Sequence, residues 1–86
     1  MLVVYKYPLE VTGEQQVLMP VGARVLTVQV QYDQPCLWAL VETRNPLANC
    51  TVTTVGTGHP TDLTTGSTYV GTYQLKGGAL VMHVFM

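Results

Sequence analysis

Two segments of this chain, Cys36-Leu37-Trp38-Ala39-Leu40-Val41 and Ala79-Leu80-Val81-Met82-His83-Val84-Phe85-Met86, are apolar at almost every position. Both are bounded by turn residues and are too short for core helices, so they read as strands with two apolar faces. Such strands must sit at the centre of a sheet or meet another surface. The rest of the chain repeats the same punctuation. Runs rich in Val, Thr and Tyr alternate with Gly, Pro, Asn and Asp, and no window carries a helical period.

Seven strands are predicted on this basis. Val3–Leu9 places Val3, Tyr5, Tyr7 and Leu9 on one face, and Gln15–Met19 is stopped by Pro20 and Gly22. Arg24–Tyr32 alternates most regularly, with Leu26, Val28, Val30 and Tyr32 on one side and Thr27, Gln29 and Gln31 on the other. Asp33-Gln34-Pro35 reads as a turn into a hairpin partner over 36–42, followed by a loop over Thr43–Asn49. Cys50–Val55 runs into Gly56-Thr57-Gly58-His59-Pro60 and a polar loop over Thr61–Thr68. In Tyr69–Leu75, Gly71 marks a bulge or a close approach. Lys76-Gly77-Gly78 is the turn into the last strand, because paired glycines take positive φ freely. The expected fold is all-β: one domain over 1–86, a compact antiparallel sandwich or barrel of about seven short strands without substantial helix.

Hydrophobic residues make up 48% of the chain and charged residues only 10%. An ordinary soluble domain is about a quarter charged. An 86-residue chain has little interior in which to hide that surplus. We therefore expect a homo-oligomer, or a partner, to cover part of it. Lys6, Arg24, Arg44 and Lys76 are scattered and the net charge is −1, which disfavours general nucleic-acid binding. No apolar run reaches the roughly 18 residues of a membrane span, and the start lacks a signal-peptide pattern. The expected location is the cytoplasm. Cys36 and Cys50 do not form a framework; one disulfide is possible if they sit on paired strands, and in a reducing compartment two small buried thiols are favoured.

The strongest candidate site is Gly56-Thr57-Gly58-His59-Pro60 with Thr61 and Asp62. Glycines flanking a Thr just past a strand let backbone amides approach a ligand, and such amides can cradle an anion. A tight glycine turn is the competing structural explanation. Trp38 or Tyr69 can stack on a ring, although aromatics in strands more often pack in a core or an interface. Arg24 or Arg44 can supply charge from a neighbouring subunit. Cys36, Cys50, His59 and His83 have no metal-site spacing, so neither a metal nor a cofactor is expected. His83 reads as a hydrogen-bonded core histidine. Ser67 is the single serine, and a His59–Asp62–Ser67 triad has no support from spacing.

Lys6-Tyr7-Pro8-Leu9, Gln34 to Val41, Gly56 to Pro60, Tyr69 to Tyr73, and Gly77 to Phe85 together span most of the chain. In this order they resemble a family of small uncharacterised proteins of bacteriophages and prophage-bearing bacteria. The resemblance implies a phage origin and action in the cytoplasm of the bacterial host cell, and supplies no activity. The residues and the resemblance together favour a non-enzymatic accessory binding protein. It would act in counter-defence, sequestering a small ligand (a nucleotide is one candidate, its phosphates on the Gly56–Thr61 loop) or masking a host protein. The alternatives are a virion or assembly component, such as a decoration or tail-associated protein, and a small-substrate enzyme using His59.

Overall fold

The computed structural model describes residues 1–63 and 66–86; Thr64 and Thr65, inside the expected polar loop, lie outside the described residues. The chain forms β1 (Leu2–Pro8), β2 (Glu14–Pro20), β3 (Arg24–Gln31), β4 (Gln34–Glu42), β5 (Leu47–Gly56), β6 (Tyr69–Leu75) and β7 (Leu80–Phe85), with a 3-10 turn at Lys76–Gly78. All pairings are antiparallel. One sheet has the order β1-β4-β3 and the other β2-β5-β7-β6. The seven expected strands are present and the fold is all-β.

The two strands with apolar runs on both faces are central: β4 lies between β1 and β3, and β7 between β5 and β6. Leu37, Ala39 and Val41 of β4 are fully buried, as are Val52 of β5 and Val84 of β7. Leu9, Val28, Leu37, Val52, Tyr73 and Val84 form one core cluster drawn from both sheets, and Met19, Ala39 and Val41 extend it. The sheets therefore stack as a sandwich about this layer. The Cα envelope is 39 × 32 × 16 Å, a thickness that two layers spaced about 10 Å apart account for.

The sheets also close together along β3 and β6. A Cβ on Gly71 would stand 2.8 Å from Val28 Cγ1, and the register slips between Tyr69 and Gly71. Gly71 thus serves as the close approach that its place in a strand suggests, and the bulge falls next to it at Val70.

Three local expectations need correction. The alternation in β3 breaks, because the register shifts between Val25 and Thr27. Val25, Val28 and Val30 face the core, while Leu26, the extra residue, is exposed. The hairpin turn is Tyr32-Asp33 rather than Asp33-Gln34-Pro35, since Gln31 pairs with Gln34. Both turn residues have positive φ (51° and 62°), as a type I′ hairpin demands, and Tyr32 is 93% exposed instead of joining the core row. The loop expected to reach Asn49 ends earlier, because Leu47, Ala48 and Asn49 pair with Pro20, Met19 and Leu18. As expected, Cys36 and Cys50 are free, Cys36 buried and Cys50 half-buried.

The accessible surface is 5543 Å², against about 5,000 Å² for a compact monomer of this mass. Much of the apolar surplus lies on the outside of the β1-β4-β3 sheet. Leu2, Val4 and Leu26 are exposed there beside the half-buried Trp38 and Leu40.

Two stability predictions arise from this packing. Gly71→Ala drives a methyl into Val28, whose β-branched side chain has little room to give; denaturant unfolding is expected to show a loss of about 1–3 kcal/mol. Tyr73 is 3% exposed, and its hydroxyl has no partner among the described residues. Burial pushes its pKa up. Tyr73→Phe removes that orphan group, so the same measurement is expected to show no loss and a gain of up to about 1 kcal/mol.

Candidate functional site

The site forms where β5 runs out. His59 N–H donates to the Gly56 carbonyl at 3.0 Å, closing a turn in which Gly58 has φ of +79°. That backbone conformation suits glycine. A Cβ on Gly56 would stand 2.9 Å from His59 Nδ1, so the missing side chain is what lets the imidazole lie back against the strand end. Thr57 N–H donates to Val81 O on β7 at 3.2 Å, and Leu63 N–H donates to Thr61 Oγ1 at 3.2 Å. The glycine turn that competes with the ligand-loop explanation is therefore real, and it shapes the surface on both sides of His59.

On one side of His59 lies a cleft of about 830 Å³, lined among others by Gly13, Glu14, Thr54, Thr61, Asp62 and Met82. Thr54 points inward from β5, is 5% exposed, and its Oγ1 has no hydrogen-bond partner among the described residues. Its backbone N–H is held by Gly13 O at 2.9 Å, which ties the β1–β2 connection to the cleft wall. On the other side is a smaller depression of about 240 Å³, lined by Thr57, Leu63, His83 and Phe85.

His83 is the residue that sequence reasoning undervalued. It is hydrogen-bonded as expected, but it lies in the outward row of β7 with Val81 and Phe85 rather than in the core. Its Nε2 is 2.6 Å from Thr57 Oγ1 and its Nδ1 is 2.9 Å from Thr72 Oγ1, which is in turn 2.6 Å from Tyr69 OH. Tyr69 meets Phe85 edge-on, with ring centroids 5.7 Å apart. The chain Thr57–His83–Thr72–Tyr69 pins the turn after β5 to the outer face of β7 and β6. Cross-strand register creates it, since His83 pairs with Val55 on one side and Thr72 on the other. The signal in the sequence was only that His83 and Phe85 share a face.

Of the expected site residues, Gly56, Thr57, Gly58, His59 and Thr61 come together here, and Tyr69 joins through Thr72 and His83. Trp38, Arg24 and Arg44 do not. Trp38 lies on the outer face of the other sheet, paired with Lys6 and Thr27, and Arg24 pairs with Leu40 on that face. Arg44 sits between β4 and β5, its Nε 2.7 Å from Glu42 Oε1. Neither lysine nor arginine lines the cleft, whereas Glu14 and Asp62 do. A phosphate on the Gly56–Thr61 loop would thus meet no cation from its own chain. No hydrogen bond links His59, Asp62 and Ser67 among the described residues, and there no three His, Cys, Asp or Glu gather.

The whole chain, residues 1–86, matches the family described as Domain of unknown function (DUF7352), and it belongs to that family. Neither a curated protein nor a solved structure matches it.

The Arg44 contact has a measurable consequence. Hydrogen bonds from the Arg44 side chain, then from the chain's amino group, then from the Arg44 backbone N–H hold the Glu42 carboxyl down at about 2, from an ordinary 4.5. A lowered folded-state pKa gives a contribution that is complete above 4.5 and is lost as pH falls through about 2. The pair is exposed to solvent, so the contribution to stability is small. An NMR titration is expected to place Glu42 well below the ordinary range, and Arg44→Ala is expected to raise its midpoint.

Proposed function

We propose that this chain is a non-enzymatic binding module that captures a small ligand, or a side chain of a partner protein, in the larger cleft beside His59. The observation that carries the reading is the buried, unpartnered Thr54 hydroxyl at the cleft wall. Burying a hydroxyl without a hydrogen bond costs about 1–3 kcal/mol. Valine, alike in shape, would continue the apolar layer of Val52 and Val84 at no such cost. The cleft's volume of about 830 Å³ falls within the usual range for small-ligand sites, roughly 300–1,000 Å³. Its mixture of apolar Val11, Val55 and Met82 with a few polar groups is the composition such sites have.

Binding is favoured over catalysis by the surroundings of the imidazoles. His83 is held by two threonine hydroxyls, and among the described residues no carboxylate hydrogen-bonds His83 or His59 to orient the ring. The chain Thr57–His83–Thr72–Tyr69 is better suited to anchoring the loop that walls the cleft.

The resemblance to small bacteriophage proteins supports an accessory role inside an infected bacterium. There the module withdraws a signalling molecule from host defence or masks a host protein. The exposed apolar face around Leu2, Val4 and Leu26 supports self-association, with the copies covering that face.

The test is native mass spectrometry of gently purified protein exposed to bacterial extract, separated into small-molecule and protein fractions. The wild-type chain is expected to carry a defined added mass in one fraction. Thr54→Val is expected to lose that mass while unfolding at higher denaturant, by about 1 kcal/mol in stability. A wild-type chain at its bare mass in both fractions overturns the reading, as does a Thr54→Val variant that keeps the ligand. The same spectra count the copies, and a bare monomer removes the self-association.

A further inference from the structure

We infer that β1 is a docking edge for a second copy of this chain, the two β1 strands pairing antiparallel about a two-fold axis at Val4. This rests on the self-association proposed above and assigns where the copies meet. β1 stands at the end of the order β1-β4-β3, so among the described residues only one of its sides is paired. Opposed residues of an antiparallel pair alternate between exchanging both backbone hydrogen bonds and exchanging none. Contacts at both ends of β1 fix the phase. Leu9 N–H donates to Pro35 O at 2.9 Å and Thr43 N–H donates to Met1 O at 3.1 Å, each continuing the register of Leu2 with Glu42. Val3, Tyr5 and Tyr7 therefore turn their backbone groups toward β4. Leu2, Val4 and Lys6 turn theirs away from it, and Pro8, which has no N–H, takes the next such position.

A free edge is ordinarily blunted by charge or proline. Pro8 closes one end of this one, but the Lys6 ammonium is drawn across β4 to Gln31 Oε1 at 2.9 Å, away from the edge. Leu2 and Val4, 64% and 53% exposed, leave the rest apolar and open. The edge strand β2 of the other sheet presents Glu14 and Gln16 instead and ends in Pro20.

The edge of β1 is complementary to itself. With Val4 opposite Val4, Leu2 of each copy falls opposite Lys6 of the other. Each outward N–H and C=O of Leu2, Val4 and Lys6 then meets a partner, and Pro8 lies beyond the ladder. Moving the axis to Tyr5 or Lys6 sets Leu2 or Val4 against Pro8, whose nitrogen has no hydrogen to give. In the Val4 register Leu2 lies beside the alkyl stem of Lys6, which covers the rim of the exposed apolar face. On the opposite face the exposed Tyr5 meets Val3, an aromatic and β-branched pair of the kind that stabilises sheets. An identical strand thus satisfies the edge without any other sequence, in the symmetry commonest among oligomers.

The full chain, labelled with 15N, is followed by sedimentation and by amide hydrogen exchange at low and at high protein concentration. A dimer that grows with concentration is expected. The amides of Leu2, Val4 and Lys6 are expected to exchange fast in the dilute monomer and about tenfold more slowly in the concentrated dimer. Those of Val3, Tyr5 and Tyr7 are expected to be protected at both concentrations. Val4→Pro removes the central donor where the fold of one copy does not use it. This variant is expected to remain monomeric while the amides of Val52 and Val84 exchange as in the wild type. Val4→Lys sets two like charges opposite each other across the axis, so it tests the pairing even if the proline variant does not fold. It is expected to weaken the dimer about tenfold, and more at low salt. A dimer whose Leu2, Val4 and Lys6 amides exchange as in the monomer overturns the edge pairing and leaves self-association through the apolar face. Undiminished dimerisation by either folded variant also overturns it. A monomer at every concentration removes both the edge pairing and the self-association.

Discussion

Everything in this molecule depends on the layer where Leu37 of β4 meets Val52, Tyr73 and Val84 of the second sheet, and where Ala39 and Val41 of the same strand meet Met19. A chain this small has few residues with which to build a core, and it commits its two most apolar strands to the middle of their sheets. Hydrophobic burial then selects the arrangement, because any single-layer packing would leave an inner row of Leu and Val in water. The close approach of β6 to β3 at Gly71 completes the layer along one side. There the absence of a side chain matters as much as the presence of one elsewhere.

Central placement solves only half of the problem for a strand with two apolar faces. The outer row of β7 is partly covered, since the segment after β5 folds back over it with Leu63 near Phe85 and His83 tied to Thr57. The outer row of β4 has no such cover, and Trp38 and Leu40 are flanked there by exposed Leu2, Val4 and Leu26. One fold thus carries two unlike surfaces. One is concave and of mixed polarity around His59; the other sets exposed Leu2, Val4 and Leu26 beside Trp38 and Leu40, with Lys6 and Arg24 on the same face.

The concave surface follows from backbone geometry. Gly56 admits the imidazole, Gly58 turns the chain, and the Thr57–His83–Thr72–Tyr69 chain holds the result against the sheet. Three of the five segments that carry the resemblance, those around Thr57, Tyr69 and His83, converge on this chain. The remaining two meet through Leu9 N–H, which donates to Pro35 O at 2.9 Å, and through the pairing of Lys6 with Trp38.

The all-β class, the number of strands, the Lys76–Gly78 turn and the special role of Gly71 were legible in the sequence, because alternation and glycine placement are local properties of the chain. The two-sided character of β4 and β7 was legible for the same reason. The bulge at Leu26 was not, since an extra residue in one strand shows only against the register of its partner. The type I′ turn at Tyr32-Asp33 was hidden because neither residue advertises positive φ as Asn-Gly would. Grouping Gly56, Thr57, Gly58, His59 and Thr61 required only their adjacency in sequence. Separating Trp38, Arg24 and Arg44 from them, recruiting His83 and Thr72, and bringing Glu14, Thr54 and Asp62 to one cleft were decided by tertiary structure alone. Those residues are distant along the chain, and only the stacking and register of two sheets sets which of them share a surface.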